Sequence, residues 1–170
     1  MAKVHKGRFS AQVPEDGVVL FLIGMRFNQL WRVHRWFPVF LSMPKMIIEL
    51  RKHPALGLLS APRTYVSGRV VMLVQYWRDF ESLESYARAG ELTHLPAWRA
   101  FNKRVRNSGT VGIWHETYRI SADAYETVYG NMPLFGLAGA TSHVPASQAG
   151  QSAAARLKVR ENDESPVEPY

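Results

Sequence analysis

The sequence predicts an α+β fold of the ferredoxin-like βαββαβ type, closed into a dimeric α+β barrel and carrying a C-terminal extension. Two observations open the case. Residues 18–27, VVLFLIGMRF, and 70–77, VVMLVQYW, are near-continuous apolar runs rich in β-branched and aromatic types, the pattern of strands buried on both faces. Helical spacing fills the stretch between them and recurs after the second run. A third observation concerns coverage: two helical segments shield one face of a four-stranded sheet, so the other face needs a cover, and a second subunit is the expected one.

The elements follow in order. After the 18–27 strand, HRWFPVFLSMPKMIIELRKH predicts a helix from about Arg35 to Lys52, with Pro38 tolerated in the first turn and Pro44 imposing a kink. It carries two apolar stripes: Phe37, Phe40, Leu41, Ile47 and Ile48 near one face, and Val39, Met43, Met46 and Leu50 along another. Such a helix is covered on more than one side, by a second subunit, by the C-terminal segment or by a ligand pocket with flexible methionine walls, which makes Phe40 and Met43 candidate substrate contacts. Ser67-Gly68 marks the tight turn of a hairpin whose second arm is 70–77. Asp79 caps a helix with Phe80, Leu83 and Ala87 on one face and Gly90 as its stop. Thr93 caps another, with Pro96 in its first turn and Trp98, Phe101 and Val105 at apolar spacing. NSGT at 107–110 ends it, and the last strand is 111–120. Ala124 to Tyr129 reads as a short helical turn, and Asn131-Met132-Pro133 as a loop that folds back. Residues 1–11 are expected to be flexible, 12–141 to form the barrel domain with its returning tail, and 142–170 to be disordered.

Composition narrows the function. Apolar residues make up 46% of the chain, enough for a sizeable core, and 21 Lys and Arg stand against 14 Asp and Glu. The basic residues are dispersed, and the densest cluster, KRVR at 103–106, sits at a helix end where cations suit the dipole, so no nucleic-acid partner is expected. The absence of cysteine excludes disulfides, thiolate nucleophiles and Cys-based metal sites. No apolar run approaches the length of a membrane span and the N-terminus lacks the apolar block of a signal peptide, which points to a cytoplasmic protein with no integral membrane segment. No glycine-rich phosphate loop occurs, so a tightly bound nucleotide is not expected.

The stretch VQYWRDFESLESYARAGELTHLPAW resembles the antibiotic-biosynthesis monooxygenase superfamily of dimeric α+β barrels. More narrowly, GIWHETY followed by AYETVYGNMPLFGLA resembles the small monooxygenase-like family that includes the tailoring monooxygenase of fungal fumagillin biosynthesis. The likeness spans roughly residues 12 to 140. It implies a homodimer with a ligand cavity in each barrel half, and oxygenation or rearrangement of a hydrophobic polyketide- or terpenoid-type substrate in secondary metabolism, frequently without metal or flavin. The superfamily also holds non-oxidative cyclases, haem-dependent dehydratases and haem-degrading members, so fold alone leaves the reaction open.

His94 shares a helix face with Trp98, Phe101 and Val105, where a histidine can serve as general base; superfamily members commonly place one there. In GIWHETYRI, alternation sets Ile113, His115, Thr117 and Arg119 on one face and Trp114, Glu116 and Tyr118 on the other. We expect His115 to face the barrel interior and Glu116 to lie beneath or beside the helices; the reverse, with Glu116 as interior acid between Trp114 and Tyr118 as walls, stays open. Tyr125, Tyr129 and Asn131 either line the cavity mouth or clamp the tail to the sheet, while Trp77 and Tyr86 read as packing aromatics. His34, His53, His94 and His115 are each an available axial ligand, which keeps haem as the alternative to a reaction with no cofactor; no metal-ion site is expected. The favoured function is a cofactor-independent monooxygenase driven by a histidine base, with a non-oxidative cyclase, isomerase or dehydratase, or a non-catalytic hydrophobic-ligand carrier, as alternatives.

Overall fold

A computed structural model describes residues 2–92, 94–105 and 108–159. The chain divides into two compact units, Val19–Tyr118 and a second formed by Met1–Val18 with Arg119–Tyr170. Among the described residues no helix is long and apolar enough to cross a membrane.

The elements in chain order are β1 (His5–Gln12), β2 (Val18–Phe27), α1 (Val33–Lys52), β3 (Arg63–Ser67), β4 (Val70–Trp77), α2 (Phe80–Arg88), α3 (His94–Val105), β5 (Val111–Ile120), β6 (Tyr129–Met132), α4 (Gly136–Ala140), β7 (Ser142–Pro145), α5 (Ala146–Ala149) and α6 (Ala153–Arg156).

In the Val19–Tyr118 unit the sheet order is β3-β4-β2-β5, the ferredoxin-like arrangement. β2 and β4 run antiparallel from the pair Val19 and Trp77 to the pair Arg26 and Val70. β5 also opposes β2: the Asn28 amide donates to the Thr110 carbonyl at 3.1 Å, while Gly24 lies against Trp114 further along. β4 alternates strictly. Val71, Leu73, Gln75 and Trp77 are buried, and Val70, Met72, Val74 and Tyr76 are half-buried on the opposite face. The buried set joins the helices in two clusters. One holds Val19, Leu50, Trp77, Leu83 and Tyr86; the other holds Met25, Val71 and Val111, with Trp36, Val39, Met43, Phe101 and Ile113 packed against it. Trp77, with 0% of its surface exposed, contributes about 3 kcal/mol by burial alone.

α1 begins at Val33, two residues before the predicted start, and has no side-chain cap. Its first turn is tied instead by the Trp36 indole N–H, which donates to the Leu30 carbonyl at 3.0 Å. α2 starts as predicted, with the Ser82 amide donating to Asp79 Oδ1 at 2.6 Å.

The second unit corrects the expectation of loose ends. His5–Gln12 is the central strand of a three-stranded sheet ordered β6-β1-β7, and Ser142–Pro145 forms one of its edges. Phe9, Ser10 and Ala11 are buried there. Tyr129–Met132 is a strand, so Asn131 and Met132 are not in a loop, and 124–129 contains no helical turn. The predicted disorder of 160–170 lies outside the described residues.

Candidate functional site

The helix-facing side of the β3-β4-β2-β5 sheet does not close fully. A cavity of about 50 Å³ remains between the sheet and the helices α1 and α2. α1 contributes Met43, Met46, Ile47 and Leu50, which recur at helical spacing on its inner stripe; α2 contributes Leu83, Tyr86 and Ala87. Phe21 and Ile23 of β2 and Leu73, Gln75 and Trp77 of β4 form the floor, each pair or triplet at alternate positions of its strand. Three of these lining residues carry polar groups, Gln75, Trp77 and Tyr86.

Gln75 is 7% exposed, and its Oε1 accepts from the Trp77 indole N–H at 2.9 Å. What Gln75 can offer a ligand is therefore its amide N–H. The Tyr86 hydroxyl donates to Glu49 Oε2 at 3.2 Å. Burial first, and then the adjacent Glu49 carboxylate, pushes the Tyr86 phenol well above the usual tyrosine range. At neutral pH it is a protonated donor held in place by a carboxylate. The pairing joins α1 to α2 at the cavity's edge.

The sequence candidates distribute unevenly around this cavity. Met43 lines it. Phe40 does not; it points outward and is 39% exposed. Phe101 packs in the Met25 cluster instead. The side chains of His94 and Trp98 lie outside the described residues.

β5 reverses the expected facing of its ionisable pair. His115 stands on the helix side of the sheet, its ring 5.7 Å from that of Phe21, a wall of the cavity. Glu116 and Tyr118 lie on the opposite face, exposed, with the Tyr118 hydroxyl donating to Glu116 Oε2 at 2.6 Å. That bond raises the Tyr118 phenol above its ordinary value. Two contacts fix the sense. Ile113 joins the Met25–Val71–Val111 core, and a Cβ on Gly24 would meet the Trp114 indole at 2.7 Å, so the indole occupies the space a side chain would need. Alternation then carries His115 to the helix side.

Tyr125, Tyr129 and Asn131 are structural clamps within the Met1–Val18 and Arg119–Tyr170 unit. The Tyr125 hydroxyl accepts from the Val13 amide at 3.1 Å and donates to the Ala11 carbonyl at 3.2 Å. Tyr129 stacks on Phe9 at 5.1 Å and accepts from the Ala138 amide at 3.4 Å. Asn131, at φ 51°, accepts from the Gly7 amide through Oδ1 at 3.0 Å. Sequence reasoning missed Gln75, Glu49 and the polar use of Tyr86. The signal for Gln75 was present: it is the one amide in VVMLVQYW and shares the phase of Leu73 and Trp77.

The cavity lining does not fit a haem, since it includes no histidine and its volume is far below that of a macrocycle. Among the described residues no group of three His, Asp or Glu side chains comes together to hold a metal ion.

The family Monooxygenase af470-like matches residues 18–137. A curated relative, Monooxygenase af470 of Aspergillus fumigatus, is 31% identical over 151 residues, covering 77% of this chain and 53% of the relative. The chain thus spans about half the length of that relative. Among solved structures, an aldoxime dehydratase in complex with butyraldoxime superposes with a TM-score of 0.65 at 17% identity, covering 82% of this chain and 43% of that one. SnoaB, a cofactor-independent oxygenase from Streptomyces nogalater, reaches a TM-score of 0.41 at 10% identity, over 60% of this chain and 91% of that one.

Proposed function

The chain belongs to the Monooxygenase af470-like family, and from that membership and the cavity beside α1 we propose that it is a monooxygenase-like enzyme acting on a hydrophobic, enolisable small molecule without an added cofactor. The observation that carries this reading is an apolar cavity whose polar functions are the Gln75 amide and the Tyr86 phenol held by Glu49. The Gln75 amide N–H suits a carbonyl oxygen that becomes an enolate, because it strengthens as negative charge develops there, while the Tyr86 proton is held by Glu49 and the phenol fixes the cavity wall. His115, exposed on the same side of the sheet and in ring contact with Phe21 rather than in the lining itself, is the base we assign, at the edge of the cavity.

The reaction balances within the substrate. His115 takes a proton from a methylene next to the carbonyl, and the carbanion reduces dioxygen. One oxygen atom becomes a new ketone and the other leaves as water, both electron pairs coming from the two C–H bonds broken. At about 50 Å³ the cavity admits only the reacting end of a substrate, and the unbranched side chains of Met43 and Met46 are the parts that can make room for more. We assign the sheet face bearing Leu20, Leu22, Met72, Val74 and Trp114, all half-buried, to a homodimer contact.

Oxygen uptake and ¹⁸O₂ labelling over a panel of apolar enolisable ketones test the proposal. One label in the product and one in water supports it, with Gln75→Leu and His115→Ala each lowering kcat by ~100-fold or more. Turnover without oxygen consumption moves the protein to the cyclases and isomerases. Ligand retention with no turnover makes it a carrier.

A further inference from the structure

α1 carries a second apolar stripe that its own unit does not cover. Phe37, Phe40, Leu41 and Ile48 are 45%, 39%, 46% and 52% exposed, and Trp31, in the loop just before the helix, is 73% exposed. At 100° per residue these four helix positions fall within a sector of about 100°, on the other side of the helix from the Met43, Met46 and Leu50 stripe that lines the cavity. Exposed large side chains are ordinary when scattered, but here they are contiguous.

The charges around the stripe have one sign. Arg32, Lys45, Arg51 and Lys52 are exposed along it. The one acidic residue of α1, Glu49, is turned toward Tyr86. We propose that this outward face of α1, with Trp31 at its head, docks on an anionic lipid surface. Aromatic and aliphatic side chains of this kind enter the acyl boundary while a cationic rim meets lipid phosphates and carboxylates. A tryptophan at the edge of the patch suits the headgroup level, where its ring is half in and half out of water. A second copy of the chain is the competing cover. An isologous contact through this face would set its cations, Lys45, Arg51 and Lys52 among them, against a partner rim of the same sign, and the face supplies no acid to pair them. Charge complementarity therefore favours the lipid. The docking proposal stands on exposure and charge and does not require the catalytic reading. Should both hold, the helix that meets the membrane is also the wall of the cavity, which gives an apolar substrate a short route from bilayer to site.

Vesicle flotation of the full chain decides it, using phosphatidylcholine vesicles with and without phosphatidylserine at low and high salt. The chain is expected to float with the phosphatidylserine vesicles alone, and less at high salt. Lys45→Gln with Lys52→Gln should lower the partition coefficient about 30-fold, as two lost surface charges imply. The tryptophan emission should shift to the blue on binding, and Trp31→Ser should remove that shift. Circular dichroism of each variant guards against misfolding. Failure to float at low salt overturns the proposal. So does binding to pure phosphatidylcholine that the lysine changes leave intact, or light scattering in which Leu41→Glu splits a dimer into monomers.

Discussion

Leu50→Ala tests the cavity and its part in stability together. Leu50 is 3% exposed, touches the Trp77 cluster and lines the void. Truncation removes three carbons from an apolar site, a transfer loss of about 2.4 kcal/mol at ~0.8 kcal/mol per CH₂. Partial collapse should leave roughly 40 Å³ of additional void, worth about 1 kcal/mol at ~24 cal/mol per Å³. The expected total is about 3.5 kcal/mol. All five tryptophans, at 31, 36, 77, 98 and 114, fall in the Val19–Tyr118 unit, so tryptophan emission during urea unfolding reads that unit alone. The midpoint should fall with the slope m unchanged. The enlarged void should also admit benzene, which at about ten times its Kd restores about 1.4 kcal/mol to the variant and nothing to the parent. A loss under ~1.5 kcal/mol without a benzene effect would refute the reasoning, since it would mean that α1 settles onto the sheet and erases the space.

Three further outcomes follow from local contacts. Gly24→Ala places a Cβ 2.7 Å from the Trp114 indole and should cost about 2 kcal/mol, and the cost should largely vanish in the background of Trp114→Ala; equal costs in both backgrounds would remove the clash as the cause. Asp79→Ala loses the cap on α2, about 1 kcal/mol. Hydrogen bonds from Ser82, then from Arg78, hold the Asp79 carboxyl down at about 2 against an ordinary 3.8, so its stabilisation is complete above about pH 4 and fades as pH falls toward 2. With its side chain 38% exposed, that pH-dependent part is about 1 kcal/mol after screening, and a urea series from pH 5 to 2 should show the slope in the parent and a flatter one in the variant. Tyr125→Phe strands the Val13 amide and should speed its hydrogen exchange about 30-fold, the equivalent of ~2 kcal/mol; an unchanged rate would show that the hydroxyl is not the clamp.

How much of this was legible depends on where the information sits. β2, β4 and β5 have the bounds predicted, β2 and β4 because a strand buried against helices announces itself as an apolar run within ten residues, β5 because NSGT marks where the preceding helix stops. β1 did not. Its partners are more than 110 residues away, and its own burial rests on Phe9, Ser10 and Ala11, which carry no period that stands out locally. The His115 and Glu116 pair shows a different limit. Alternation separates the two residues but cannot say which face is which, and the sign was set by a glycine ninety positions earlier whose missing side chain admits Trp114.

α1 poses the same question of sign in helical form. Periodicity detected two apolar stripes but placed Ile47 with Phe37 and Ile48, whereas the structure puts it on the cavity with Met43 and Met46. Neighbouring positions on a helix differ by 100°, so a run such as Met46-Ile47-Ile48 always straddles two faces, and hydropathy alone cannot divide it. The charges can. Lys45 and Lys52 lie on the same side as Leu41 and Ile48, and ammonium groups are not buried without partners, so that side is the one held away from the protein's own core. The outer stripe is then apolar despite facing out, which is the physical reason to look for something other than this unit to cover it.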